Sequence, residues 1–494
     1  MGASLETGPA DARRAEVLEA VRRLAPALAR VVGLAYAFVE EFDLRLYEYD
    51  ASIDRAMPDA VVLPGSAAEV AEVVRLCHDA GVPFTPRGAG TGLSGGSLPV
   101  EGGVVLGLNR LTRIREVDAA GLRAEVEPGL VNLHLSQAVA HLGLQFVPDP
   151  SSQKASTIGG NIGENSGGPH TLLYGVTTNH VTGLEVVLPD GRTINTGGKA
   201  LDLPGYDLTG LFVGSEGTLG VVTKAIVRLS PVVEAVRTIL AVFESVEEAS
   251  SACSGIIATG IVPAALEMMD HLSIQAVEAA VHAGYPTDAA AVLLIEVDGL
   301  AEGVDPLVEA VRAVCAEHGA REVRLALSAK ERNLLWAGRK GAFSAMGRIS
   351  PDYYVMDGCV PRSTLPDVLA RIEDISKQSG LRVANVFHAG DGNLHPLVLF
   401  NSQIPGQDEL VREVGGEILA VCAEVGGALT GEHGIGYEKR EFMGLTFSED
   451  DLEVMARAKR ALDPKGTANP GKIFPTPGRC VFPKNGGRKG AWGW

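Results

Sequence analysis

Cysteine is scarce in this 494-residue chain, and what there is lies scattered. Cys77, Cys253, Cys315, Cys359, Cys422 and Cys480 form no C-x-x-C pair. That excludes the usual zinc ribbon or cysteine-ligated iron–sulfur cluster and fits a reducing compartment. Positive charge is in deficit: 43 Lys and Arg against 61 Asp and Glu leave −18. Such a field repels phosphates, so a nucleic-acid partner is excluded, and a small anionic substrate needs local cations. The N-terminus, MGASLETGPADARR, lacks the basic-then-apolar order of a signal peptide, and Glu6 stands where myristoylation needs Ser or Thr. The most apolar early run, VVGLAYAFV from Val31 to Val39, is far too short to span a bilayer. A cytoplasmic location is expected, with attachment to the inner membrane through a partner as the variant. No internal repeat is present.

Glycine, by contrast, is abundant: sixty residues, clustered in a way that suits binding loops rather than linkers. Length and a 46% hydrophobic content describe a soluble globular protein, with two domains expected. Residues up to about Val39 read as a packing helix. From Ala60 the pattern predicts a strand, a helix capped by Ser66 and stopped at Gly81, and a second strand ending in a glycine loop. Further strands are expected at GGVVLGL, LRAEVEPG and VTGLEVVLPDGRTINTGG, the last turning on a two-residue Asp190-Gly191 loop. Pro231 closes this half. Beyond it, helices alternate with strands such as AAVLLIEV, an α+β pattern, ending in a strand pair near 383–400 and a helix near 408–425. The basic tail carries Arg479, Lys484, Arg488 and Lys489 with Trp492 and Trp494, and is expected to be solvated rather than docked.

The first loop, RGAGTGLSGG from Arg87 to Gly96, contains G-x-G-x-x-G at Gly90, Gly92 and Gly95. A nicotinamide site would require a helix after these glycines. The next segment of chain is instead SLPVEGGVVLGL, a turn and a strand, so that reading fails. Two more such loops, TIGGNIGENSGGP and GSEGTLGVVT, lie in the same half. Three backbone-exposing segments suit a long dinucleotide held by N–H groups.

A second informative stretch is VANVFHAGDGNLHPLVLF. Centring a two-residue loop on Asp391-Gly392 pairs His388 with His395 on one sheet face, where two imidazoles can bind one metal. Stacking is the bland alternative for two lone histidines. GGALTGEHGIG adds Glu432 and His433; if extended, the two point to opposite sides. Two His and one carboxylate form an open site for zinc, manganese or iron. Asn393 is read mainly as turn chemistry.

The run Arg87–Ser97, PDPSS at Pro148–Ser152, GGNIGENSGG, SEGTLGVVT, YEYDA and NPGKIF resemble the FAD-linked D-2-hydroxyacid dehydrogenase family, which includes the glycolate oxidase D subunit and D-lactate dehydrogenases. The resemblance covers roughly residues 47 to 475. It implies an α+β fold with a vanillyl-alcohol-oxidase or p-cresol-methylhydroxylase (PCMH)-type FAD-binding domain and an α+β substrate (cap) domain. The expected division is 1–55 (helical segment), 56–231 (FAD), 232–475 (cap, its end returning to the flavin) and 476–494 (tail). The expected cofactor residues are Arg87, Gly88, Ala89, Gly90, Thr91, Gly92, Gly96, Ser97, Pro148, Asp149, Thr157, Gly160, Asn161, Asn165, Gly168, Glu216, Gly217, Val222 and Asn469. Relatives that attach flavin covalently carry His in the first loop; Thr91 and Ser94 stand there, so non-covalent FAD is expected.

The resemblance also implies that His388, His395 and Glu432 hold a divalent metal. It makes His433 the base that takes the hydroxyl proton as hydride leaves Cα for flavin N5. Arg339 would grip the substrate carboxylate, with Lys340 and Arg348 as rivals. Relatives acting on diacids add a lysine in the stretch SPDYYVMDG; Val355 or Tyr354 occupies that place, which favours glycolate or D-lactate. With no nicotinamide site, the electrons would pass to an iron–sulfur or other acceptor subunit, a quinone or a cytochrome, and a homodimer is a further expectation. Two rival readings are an alkylglycerone-phosphate-synthase-like transferase and a non-catalytic electron-transfer subunit. The filled base and metal positions argue against both.

Overall fold

The computed structural model describes residues 9–200, 204–476 and 479–481. Arg479 of the basic tail is among them; Lys484, Arg488, Lys489, Trp492 and Trp494 lie outside the described residues. The N-terminal helix spans Pro9–Val32 and buries Val17, Val21, Leu24, Leu28 and Val32 at threes and fours. It stops sooner than the expected Val39. Gly33 takes a φ of +89°, and Ala37–Phe38 instead forms a short strand antiparallel to Val61–Val62. The apolar run there lacks the periodic contrast that separates helix from strand.

The expected β-α-β unit is present. Strands Ala60–Val62 and Phe84–Arg87 both lie parallel to Val104–Gly107, which sits between them. Ser66 Oγ accepts from the Glu69 N–H (3.2 Å) and Gly81 closes the helix in the left-handed region. The first glycine loop leaves the end of Phe84–Arg87 and no helix comes after it before Val104–Gly107. A five-stranded antiparallel sheet carries the second half of this region, in the order Ile114–Asp118, Arg123–Val126, Val221–Arg228, Val181–Val187, Thr193–Gly197. Its Asp190-Gly191 turn is a three-residue loop, not two: Leu188 pairs with Arg192 (N···O 2.8 Å) and Gly191 supplies the left-handed step at φ +86°.

Beyond Pro231 a seven-stranded antiparallel sheet runs Glu322–Leu325, Ala235–Phe243, Ala291–Gly299, Ala265–Asp270, Val383–His388, Pro396–Phe400, Asp352–Val355. Period-two alternation splits its strand Ala235–Phe243 between two cores. Ile239, Ala241 and Phe243 pack under helices Val246–Ala258, Ala301–Glu317, Leu365–Ser379 and Gln407–Glu424. Leu240 and Val242 face the opposite layer, where His271–Val281 and Leu335 of Ala329–Lys340 sit. The chain then returns to the first region: Ala468 bridges Phe84 in parallel, with the Phe84 N–H on the Thr467 carbonyl (2.8 Å).

Candidate functional site

A cavity of about 580 Å³ lies between the glycine loops and the seven-stranded sheet region. Its wall takes Arg87, Gly88, Ala89, Gly90, Thr91, Gly92, Gly96 and Ser97 from the first loop, Thr157, Gly160 and Asn161 from the second, and Glu216, Gly217 and Val222 from the third. Close backbone approach explains two of the glycines. A Cβ at Gly88 would meet Thr157 Oγ1 at 2.4 Å, and one at Gly90, whose φ is +68°, would meet Arg87 Nη2 at 2.2 Å. A side chain at Gly88 would have to displace Thr157, and at Gly90 the left-handed backbone itself disfavours one.

Five of the expected cofactor residues do not line the cavity; they brace its wall from behind. The Pro148 carbonyl accepts from Asn132 Nδ2 (2.9 Å), and Asp149 accepts from Lys340 Nζ (2.8 Å). Asn165 ends the helix Ile158–Glu164 at φ +56°, its Oδ1 accepting from the Thr178 N–H (2.9 Å). Gly168 packs on the Asp149 backbone, with no room for a Cβ. Asn469 ties two loops together: its Nδ2 donates to the carbonyls of Gly96 (2.8 Å) and Glu216 (2.7 Å).

The opposite wall carries His388, His395, Glu432, His433 and Arg339. The histidine hairpin differs in register from the expected one. His388 pairs with Asn393, not His395, leaving a four-residue loop, Ala389–Gly392. Tertiary bonds hold that loop open: the Gly390 N–H donates to the Leu266 carbonyl (3.0 Å), and the Val360 N–H to the Gly392 carbonyl (2.9 Å). A slip of two residues preserves the face, so both imidazoles still point the same way, ring centroids 5.1 Å apart. Glu432 and His433 lie on a bend rather than an extended segment, and both face the cavity. Glu432 Oε1 stands 3.0 Å from His388 Nε2, 3.3 Å from His395 Nε2 and 3.9 Å from His433 Nε2.

The donor set fits a divalent cation. One ligand atom from each of His388, His395 and Glu432 falls within 4.8 Å of the others. Nδ1 of buried His395 has no hydrogen-bond partner among the described residues, and Nε2 makes no well-aligned bond, facing Glu432 Oε1 (3.3 Å) and Asp357 Oδ1 (3.4 Å). His388 Nδ1 is held by Glu267 (2.8 Å), which aims Nε2 inward, the usual carboxylate support of a ligating imidazole. Asp357, His395 and His433 form a second triad of the same compactness. Burial acts against the Glu432 anion, but His388, His395 and His433 outweigh it and hold the carboxyl down to about 2. For His433, burial disfavours the cation, Asp357 opposes only in part, and its pKa falls to about 4. The ring stacks on His395 at 4.8 Å and stays neutral at ordinary pH.

Two organising residues escaped the sequence reading. Asp357, fully buried, gathers the loop that bears Glu432 and His433. It accepts from the His433 N–H (2.9 Å), Asn393 Nδ2 (2.7 Å), Lys439 Nζ (3.2 Å) and the Thr430 hydroxyl. In VMDGC it looks like turn chemistry, so nothing in the sequence marks it. Glu267 holds both His388 and Arg339; an acidic residue inside the apolar strand ALEMMD is the signal that marks it.

Arg339 is almost fully buried, its Nη2 2.5 Å from Glu267 Oε2, while Nε and Nη2 make no well-aligned hydrogen bond. Of its rivals, Arg348 is exposed, whereas Lys340 also lines the cavity while its Nζ pairs with Asp149 (2.8 Å). Tyr353 is the member of the SPDYYVMDG stretch that lines the cavity. Tyr354 and Val355, expected there, belong to the cores instead.

The fold is the two-domain FAD-binding fold of the PCMH and vanillyl-alcohol-oxidase type. Residues 58–197 match the FAD binding domain family, and residues 232–473 match the FAD linked oxidases, C-terminal domain; the chain belongs to the FAD-linked oxidases. It is 50% identical over 472 residues to the glycolate oxidase subunit GlcD of Escherichia coli (strain K12), covering 95% of this chain and 93% of that protein. It is 34% identical over 435 residues to a D-lactate dehydrogenase of Archaeoglobus fulgidus, covering 86% and 95%. A solved p-cresol methylhydroxylase superposes with a TM-score of 0.77 at 17% identity, over 93% of this chain and 97% of that one. Among the described residues, no helix is long and apolar enough to cross a membrane.

Proposed function

We propose that this protein is an FAD-dependent dehydrogenase that oxidises a small D-2-hydroxyacid, glycolate or D-lactate, to the 2-oxoacid and passes the electrons to an acceptor other than NAD. One observation carries the reading: a buried guanidinium, a neutral imidazole and a two-histidine, one-carboxylate cluster meet in the cavity whose other wall is the glycine loops. The glycolate oxidase subunit and the D-lactate dehydrogenase among its relatives support it. The first of these is named as a subunit, which supports transfer of electrons to a partner, with a quinone or a cytochrome as other acceptors.

Bound FAD supplies hydride-accepting chemistry at its N5, and a divalent ion (zinc, manganese or iron) held by His388, His395 and Glu432 supplies polarisation of the substrate hydroxyl. Arg339 grips the substrate carboxylate, and Glu267 fixes the guanidinium from behind. His433 takes the hydroxyl proton on a ring nitrogen, which burial keeps free. Asp357 and Lys439 hold the backbone of that loop in place. No lysine faces the cavity from the 350–358 stretch, so a second substrate carboxylate finds no clamp there.

The test is an anaerobic absorbance spectrum of FAD-loaded, metal-replete protein before and after glycolate, D-lactate and L-lactate. Bleaching of the flavin band by glycolate or the D-isomer, and not by the L-isomer, is expected. A flavin band untouched by any of them would overturn the dehydrogenase reading and favour a reaction without net oxidation.

A further inference from the structure

The glycine cradle contains a buried acid that the proposed oxidation does not use. Glu164, the last residue of the helix Ile158–Glu164, lines the cavity. Its carboxyl is wedged between the first glycine loop and the loop behind the candidate base. A Cβ on Gly96 would lie 2.5 Å from Glu164 Oε1, and one on Gly434 would lie 2.2 Å from Oε2. Glycines therefore stand on both sides of this one carboxyl. Oε2 is inaccessible to solvent and has no hydrogen-bond partner among the described residues.

Glu216 flanks the same Gly434, its Oε1 2.9 Å from where a Cβ would stand. Two carboxyls so placed do not both ionise. Glu216 accepts from the N–H groups of Ile435 (2.8 Å) and Gly436 (2.8 Å), which stabilise its anion; Glu164 has no such donors. The proton of the pair therefore resides on Glu164, and burial together with Glu216 and Asp50 pushes its titration well above the ordinary range, Lys439 and Lys472 opposing. The result is a neutral acid whose Oε2 faces inward beside Gly434 and Glu216, leaving Oε1, against Gly96 of the cavity wall, as the oxygen that can present an O–H to whatever fills the cavity.

We propose that Glu164 donates a hydrogen bond to the flavin ring of bound FAD and thereby raises its reduction potential. The ring, and not the pyrophosphate, is the acceptor, because Gly434 directly follows His433, the candidate base, which has to meet substrate beside the ring. Reduction adds electron density to the flavin nitrogens and carbonyl oxygens, so a donor aimed at them favours the reduced form. The inference rests on FAD filling the cleft and not on the identity of the oxidised substrate.

The test therefore uses chemical or xanthine-oxidase reduction of the holoprotein against a reference dye, with no hydroxyacid. In E164L the reduction equilibrium is expected to fall at least tenfold, a drop of about 30 mV for a two-electron couple. In E164Q, whose amide N–H still donates, it is expected to stay within threefold of wild type. A potential in E164L equal to wild type overturns the proposal, as does one in E164Q that falls as far as in E164L. If E164L fails to fold, E164D withdraws the acid by one methylene and is read the same way: a tenfold fall supports the proposal, and an unchanged potential overturns it. Absence of flavin from the wild-type protein would instead refute FAD occupancy itself.

Discussion

At the residue scale, His433 and Arg339 divide the work of proton and charge. An imidazole accepts a proton only while neutral, and burial keeps His433 neutral down to about pH 4. The acid limb of flavin reduction by hydroxyacid is thus expected to lie below the ordinary 6.5, toward 4, in stopped-flow measurements across pH. H433N is expected to keep the flavin spectrum while slowing that reduction about 100- to 10,000-fold; unchanged turnover would refute the assignment. Arg339 presents a subtler case, because its removal breaks a buried ion pair and leaves Glu267 with His388 as its remaining partner, a change that costs up to roughly 3–5 kcal/mol. R339K keeps a cation there and loses the planar fork, so the substrate concentration needed for half-maximal flavin reduction is expected to rise about tenfold or more.

At the scale of elements, the histidine hairpin shows what local pattern conveys and what it omits. Asp-Gly between two apolar runs announces a hairpin, and a hairpin is there; the register slipped by two residues because Leu266, Val360 and Arg362 bond the loop from other strands and turns. Period two spared the consequence, and the two histidines remained on one face. The β-α-β unit and the absence of a helix after the first glycine loop were equally legible, since Ser66 caps with its own hydroxyl three residues along and Gly81 and Pro99 act through their own backbones. The hub formed by Asp357 was not legible. Its partners at 393, 430–433 and 439 come from distant stretches of chain, and no local rule brings them together. The hairpin itself is testable at Gly392, whose φ is +80° and where a Cβ would stand 2.0 Å from the Val360 carbonyl oxygen. G392A is expected to destabilise the fold by about 1–3 kcal/mol or more and, by shifting His395, to weaken zinc binding measured by competition with a chromophoric chelator.

At the scale of the whole molecule, a network of ionised groups joins the glycine-loop region to the seven-stranded sheet. His170 lies between Asp149 (3.0 Å) and Glu296 (3.3 Å) and stacks on Trp336, while Lys340 reaches the other side of Asp149. Burial disfavours the His170 cation, but Asp149 and Glu296 overcome it and raise its pKa to about 10; Glu296 itself is held to about 2, since His170 and Arg332 outweigh its own burial. The raised histidine contributes stability that is complete below about pH 6.5 and lost as pH climbs through 10. The depressed glutamate contributes above about 4.5 and loses its share as pH falls toward 2. The latch is therefore strongest between about pH 4.5 and 6.5. The melting temperature is expected to fall from pH 6.5 to 10 more steeply in wild type than in H170N, as followed by calorimetry; parallel curves would refute the latch.

The tie made by Asn469 across Gly96 and Glu216 spans 373 and 253 positions of the chain. Translation delivers all three glycine loops long before it delivers that asparagine. On the ribosome, that tie cannot form until synthesis has passed through the whole intervening sheet, so flavin loading is expected to be a late event in biogenesis. A chain cut short of Asn469 would carry every loop without the tie that joins the first to the third.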